Sequence, residues 1–197
     1  MKSIIYWHPT IYSLLMRLSY RKGYNEKSEA IASLIESNTT IADICCGDGK
    51  IYDFLNDKSV EYLGLDFNAY FIKKLCDKGI TARVFNLYTD ELPQSDYILM
   101  LASLYQFYPN QKEILHKLFS SAKKYLILSE PVVNYAHSRS KILVYLANKL
   151  NNPGDGTKEF RFDIETLKQE LRPYKNRITR EFYTANHIEY VVMIKKE

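Results

Sequence analysis

Five short apolar runs recur along this chain: TIADICC (40–46), VEYLGLD (60–66), ITARVFN (80–86), SDYILMLAS (95–103) and YLILSE (125–130). Between several of them lie stretches of helical period, KIYDFLND, NAYFIKKLCDKG and PNQKEILHKLFSSAKK. The fourth run is almost continuously apolar, as strands covered on both faces are. Alternating strands and helices leave few solutions, and the one that buries every run is a parallel, doubly wound sheet with helices on both faces. In the second helical stretch Asn68 is placed to cap and Gly79 to stop the helix, and in the third Pro109 lies near the start. Upstream, helix-spaced apolar residues fall over 10–22 and 25–37, with Ile31, Leu34 and Ile35 on one face.

The pattern changes after Pro131. Residues 132–161 hold no clear strand; they contain the loop NNPGDG and an amphipathic stretch, SKILVYLANKL. DIETLKQEL follows as a helix with Asp163 and Thr166 as capping residues and Pro173 as its terminator. The runs RITREFY and IEYVVMIKK, joined by TANH, predict a closing antiparallel hairpin. A chain of 197 residues is the size of one domain. We expect a single domain over 1–197, with 1–24 as an N-terminal cap segment and 131–161 as a lid or substrate insertion. Repeats and low-complexity segments are absent from the sequence.

Ligands of open parallel sheets bind beyond the carboxyl ends of the strands, where the strand order reverses. The first run ends there in Cys45-Cys46-Gly47-Asp48-Gly49. A dinucleotide site asks for G-x-G-x-x-G; aligned to it, the positions read Cys45, Gly47 and Lys50, a single match. No G-K-[ST] follows for a P-loop. Charge is a second objection: a pyrophosphate wants positive potential, whereas Asp43 and Asp48 bring two carboxylates that Lys50 offsets only in part. A cofactor without phosphate and with a positive reactive centre suits this field. S-adenosyl-L-methionine (SAM), with its sulfonium, α-ammonium and single carboxylate, has those properties.

IADICCGDGKI resembles motif I of the class I SAM-dependent methyltransferases, apolar-x-Asp-x-Gly-x-Gly-x-Gly. Asp43, Gly47 and Gly49 match; Cys45 stands where the first glycine would be and must tolerate a tight backbone with a Cβ present. The resemblance covers roughly residues 25–195 and implies the strand order 3-2-1-4-5-7-6. It implies further that Asp66 binds the ribose hydroxyls, that Phe67 covers the adenine, and that Asn86, with Leu87 beside it, accepts from the adenine amino group. Leu101, Ala102 and Ser103 would then lie beside the methionine end, with Tyr105 and Gln106 approaching the methyl group.

The activity implied is methyl transfer to a small-molecule acceptor, with an apolar one among the candidates. A catalytically silent SAM-binding module is the alternative. Acceptor determinants are expected where the core pattern breaks: Tyr6, Trp7, His8 and Tyr12 in the first segment, then Glu130, Asn134 and Arg161. Tyr105, Glu130 and His8 are candidate catalytic groups, though an in-line displacement needs a base only for a protonated acceptor. Arg17, Arg21 and Lys22 are candidates for the cofactor carboxylate.

Composition narrows the partners. A net charge of +4, from 27 basic and 23 acidic residues, lacks the dense basic face of a dedicated nucleic-acid binder. The fourth run is followed by Ser103-Leu104-Tyr105-Gln106, not by the Asn/Asp-Pro-Pro-aromatic signature of many amino-directed nucleic-acid methyltransferases. Three cysteines make neither a disulfide framework nor a zinc site. Trp7, His8 and Pro9 interrupt the apolar N-terminus, and no run reaches the ~18 residues a membrane span requires. We therefore expect a cytoplasmic protein with no metal, no nucleic-acid partner and no stable membrane insertion. The oligomeric state is not legible in the sequence.

Overall fold

A computed structural model of the chain describes residues 23–132, 160–185 and 187–197. The expected helix over 10–22, the residues Tyr6, Trp7, His8, Tyr12, Arg17, Arg21, Lys22 and Asn134, and most of the 131–161 insertion lie outside the described residues.

Helix α1 (Gly23–Ser33) leads into β1 (Thr40–Ile44), a 3-10 turn (Lys50–Phe54) and β2 (Glu61–Asp66). Helix α2 (Ala69–Asp77), β3 (Ala82–Val84), β4 (Ser95–Leu101), a 3-10 turn (Leu104–Phe107) and α3 (Gln111–Ser121) follow. The chain then runs through β5 (Ala122–Pro131), α4 (Ile164–Leu171), β6 (Ile178–Tyr183) and β7 (Glu189–Lys195). The seven strands form one sheet in the order 3-2-1-4-5-7-6. All pairings are parallel up to β5; β7 then runs antiparallel to both β5 and β6. This is the expected doubly wound sheet with its terminal hairpin.

Period-two alternation along the strands divides the core. Ala42, Ile44, Ile98, Met100, Leu126 and Leu128 face the layer of α3 and α4, where Ile114, Leu118, Leu167 and Leu171 close over them. Ile41, Tyr97, Leu99 and Ile127 face α1 and α2 and meet Ile31, Ile35 and Leu75. Burying Ile31 and Ile35 fully contributes about 1.5–3 kcal/mol each. The caps hold as expected: Asn68 accepts from the Tyr70 amide, and Asp163 and Thr166 form a reciprocal capping box.

Three elements differ from the sequence expectation in extent. Helix α1 ends at Ser33 instead of 37, because Ser33 turns its hydroxyl onto the Ala30 carbonyl and the chain must reach β1. KIYDF is a 3-10 turn, confined between left-handed Gly49 and the end of a short connection. β5 begins at Ala122 and takes in Lys123 and Lys124, which the sequence placed in the helix; Lys124 offers its carbonyl to the Lys196 amide just past β7.

Candidate functional site

With β1 flanked by β2 on one side and β4 on the other, the strand order reverses at β1, and the crevice opens beyond its carboxyl end. The turn leaving β1 is left-handed at three alternate residues: Cys45 (φ 58°), Gly47 (φ 54°) and Gly49 (φ 66°). Cys45 therefore holds the conformation of the missing glycine at a cost of roughly 1–2 kcal/mol. The two glycines serve different ends. A Cβ on Gly49 would stand 2.7 Å from Leu75 Cδ2, so this residue lets α2 pack against the turn. A Cβ on Gly47 would meet nothing within 4 Å, so its backbone borders open space. Behind the turn the Cys46 Sγ lies 3.0 Å from where a Cβ on Gly64 would sit, so β2 must approach with a bare glycine.

Asp66 ties the two strand ends together. Its Oδ2 accepts from the Gly47 amide at 2.9 Å and its Oδ1 from the Asn68 amide at 2.8 Å. A carboxylate offers about four acceptor sites, so each oxygen keeps one for a hydroxyl. Burial raises the Asp66 pKa, and the two amide bonds oppose that shift. Asp43 is only 2% exposed and accepts from the Tyr62 hydroxyl at 2.8 Å. Burial lifts it to about 7, against the Tyr62 bond and with help from the charges of Asp66 and Asp48. Asp48 is half-buried on the same turn. Burial also pushes both thiols up, with nearby carboxylates adding to it, so neither Cys45 nor Cys46 is a ready nucleophile.

Phe67 stands 71% exposed at the open end of β2. Asn86 Oδ1 accepts from the Tyr88 amide, an Asx turn that fixes its side chain while leaving it half-buried. Leu87 turns its side chain into the core, and its carbonyl accepts from Lys117 Nζ. Only its amide remains to meet a ligand.

On the far side of the crevice, β4 ends in left-handed Ala102 (φ 61°), whose amide donates to the Ser129 carbonyl. Glu130 is wholly buried. Its Oε1 accepts from the amides of Ser103 (2.9 Å) and Leu104 (2.7 Å), and its Oε2 accepts weakly from Tyr105 (3.4 Å). Burial raises its pKa to about 8, against the amide bonds of Leu104 and Ser103 and with the charge of Glu189 adding to it. The sequence placed Glu130 among the groups facing an acceptor; the fold gives both of its oxygens to the backbone of the loop that carries Tyr105. Ser103 is itself 5% exposed, whereas Gln106 is exposed and its Nε2 lies 3.4 Å from the Tyr105 hydroxyl. The Arg161 guanidinium lies over the Tyr105 ring at 4.2 Å. Loop and re-entering chain are further joined by Phe160 stacked on Tyr108, with ring centroids 4.6 Å apart.

Sequence reasoning missed two groups. Tyr62 became visible only through the register that sets Ile41 beside Tyr62 and Asp43 beside Gly64. Lys27, 6% exposed, places Nζ 3.1 Å from both Glu189 oxygens, and Ser129 Oγ donates to the same carboxylate at 2.5 Å. Lys27 lies one helical step before Ile31 and Ile35, so a cation on the apolar stripe was the available signal.

The comparisons with known proteins give one family and one fold. Residues 25–153 match the family model of the methionine biosynthesis protein MetW. The chain belongs to the MetW family. Among solved structures, this MetW-family chain is similar to the magnesium protoporphyrin IX methyltransferase of Synechocystis PCC 6803 with bound SAH. Identity there is 15%, over 92% of this chain and 87% of that one, with a TM-score of 0.68. A SAM-dependent methyltransferase from Thermotoga maritima gives 16% identity over 98% and 99% of the two chains, TM-score 0.67. One from Aquifex aeolicus gives 16% over 96% and 99%, TM-score 0.63. At such identities the likeness is one of fold, and the fold is that of class I methyltransferases. No curated protein matches the sequence.

Proposed function

We propose that the chain binds SAM at the β1 turn and transfers its methyl group to a small-molecule acceptor. One observation carries this reading: Asp66 bonds the Gly47 amide and so brings three carboxylates, Asp43, Asp48 and Asp66, around a turn whose Gly47 borders open space. A crevice of that charge disfavours a pyrophosphate and favours a cationic nucleoside. Asp66 takes the ribose hydroxyls with its remaining lone pairs, Phe67 and Asn86 flank the base, and the charge of Asp43 favours the ammonium of the amino-acid end. When bound, SAM supplies an electrophilic methyl group on sulfur. The protein's part is to orient the acceptor and exclude water, which can account for much of the rate of an in-line displacement. Ala102 and Ser103, fixed by Ser129 and Glu130, form the wall beside the methionine end, and Tyr105 and Gln106 face the acceptor. The solved Synechocystis neighbour with SAH supports the choice of cofactor.

A second reading, a SAM-binding module without activity, draws support from Glu130. The carboxylate at the acceptor side is committed to three backbone amides and is not available as a base. Incubation with methyl-labelled SAM and a panel of metabolite acceptors separates the two. Labelled product with stoichiometric SAH is the expected result; tight SAM binding without product on any acceptor leaves the module reading standing.

A further inference from the structure

We propose that Arg161 anchors a carboxylate on the methyl acceptor, so that the substrate class is an organic acid with an apolar or aromatic body. This inference rests on the methyl-transfer reading above. Arg161 is half-buried and lies over the face of Tyr105 at 4.2 Å. Among the described residues its one hydrogen bond runs from Nη1 to the Phe160 carbonyl at 2.9 Å. A guanidinium carries about five N–H donors, so most of its fork is left over. Among the described residues the ion pairs join Lys27 to Glu189, Lys50 to Asp53, Lys73 to Asp77 and Lys124 to Glu36, and none of them takes in Arg161. A partly desolvated cation without a counter-charge is costly, and an arriving anion relieves that cost.

Its neighbours hold the group still. Phe160 stacks on Tyr108 and meets Phe162 edge-on at 4.9 Å, and Phe162 is 1% exposed in the core. Tyr105, whose ring lies under the guanidinium, has its amide turned to Glu130. The cation is therefore held against the loop that follows β4, which also carries exposed Tyr108 and Gln106. A planar fork suits a planar carboxylate through two parallel bonds. Tyr108, 46% exposed on the same loop, offers apolar surface to the body of such a ligand.

The test titrates the full-length protein, saturated with SAH, with benzoate, hexanoate, benzamide and phenyl phosphate, followed by ligand-observed NMR. At least one of the two acids should bind, with benzamide about tenfold weaker or worse, because a carboxamide loses the charge-assisted fork. Arg161→Gln should weaken the acid by about tenfold or more, and Arg161→Lys by less, since it keeps charge but not the fork. Affinity for SAH should stay within about twofold of wild type in both variants, which also shows that they fold. The proposal is overturned if neither acid binds, if acid and amide bind alike, or if phenyl phosphate is preferred to both acids. It is overturned equally if Arg161→Gln leaves acid binding intact or weakens SAH in parallel, which would assign Arg161 to the cofactor's own carboxylate. Failure of SAH to bind the wild type would instead sink the cofactor reading, and the same titrations without SAH would still decide the role of Arg161.

Discussion

Ligand affinity at the β1 turn should rise with pH through neutrality because of Asp43. The carboxyl is buried, accepts one hydrogen bond from Tyr62, and is raised from 3.8 to about 7 chiefly by burial. An acid raised in the folded state keeps its proton between the unfolded and folded values. Its contribution to stability is full below 3.8 and is lost as pH climbs through about 7. Binding runs the other way. An amine-bearing nucleoside prefers the carboxylate, so affinity follows the ionised fraction. For a pKa of about 7 that fraction is roughly 0.09 at pH 6 and 0.9 at pH 8, a change of about tenfold. Calorimetric titration with SAH at pH 6, 7 and 8 measures it directly. Repeating pH 7 in buffers of different ionisation enthalpy should count roughly half a proton released per site. Asp43→Asn should bind weakly and with no slope across this range. A flat profile in the wild type, or the same slope surviving in Asp43→Asn, would refute the argument.

Three further outcomes follow from the buried polar groups and the turn. Lys27→Ala should destabilise the fold by about 3–5 kcal/mol in urea titration, because it leaves Glu189 charged and buried without its partner. Glu130→Gln should lose about 1 kcal/mol, since its carbonyl oxygen can replace Oε1 for both Ser103 and Leu104 while its NH2 gives up only the long bond from Tyr105; Glu130→Ala should lose about 2–4 kcal/mol by orphaning those amides. Cys45→Gly should retain SAH binding and change stability by no more than about 1 kcal/mol, as relief at φ 58° is set against lost packing; loss of binding would mean that the thiol itself contacts the ligand.

Much of this was legible in sequence because the signals were local. Runs such as YILML can be covered on both faces only inside a layered sheet, and Asn68, Asp163 and the hairpin carry their capping and turn chemistry in adjacent residues. The β1 turn was legible for the same reason, down to the tight backbone at Cys45, which the structure shows to be left-handed. What escaped depended on contacts across the sheet. Lys124 joins β5 because Lys196, 72 residues on, supplies the amide that bonds its carbonyl. Glu130 serves the Ser103–Tyr105 loop only once β4 and β5 lie side by side. The bond between Tyr62 and Asp43 depends on the parallel register of β1 and β2. Arg161 was singled out as a substrate group, but its stacking on Tyr105 comes from two segments far apart in the chain.

The acidic, glycine-poor turn after β1 should hold a cationic nucleoside and not a pyrophosphate. Calorimetric titration of the wild-type protein with SAM, SAH and NAD under one buffer condition tests it most directly. Micromolar binding of SAM and SAH with no heat from NAD is the predicted result; binding of NAD with neither sulfur nucleoside would contradict it.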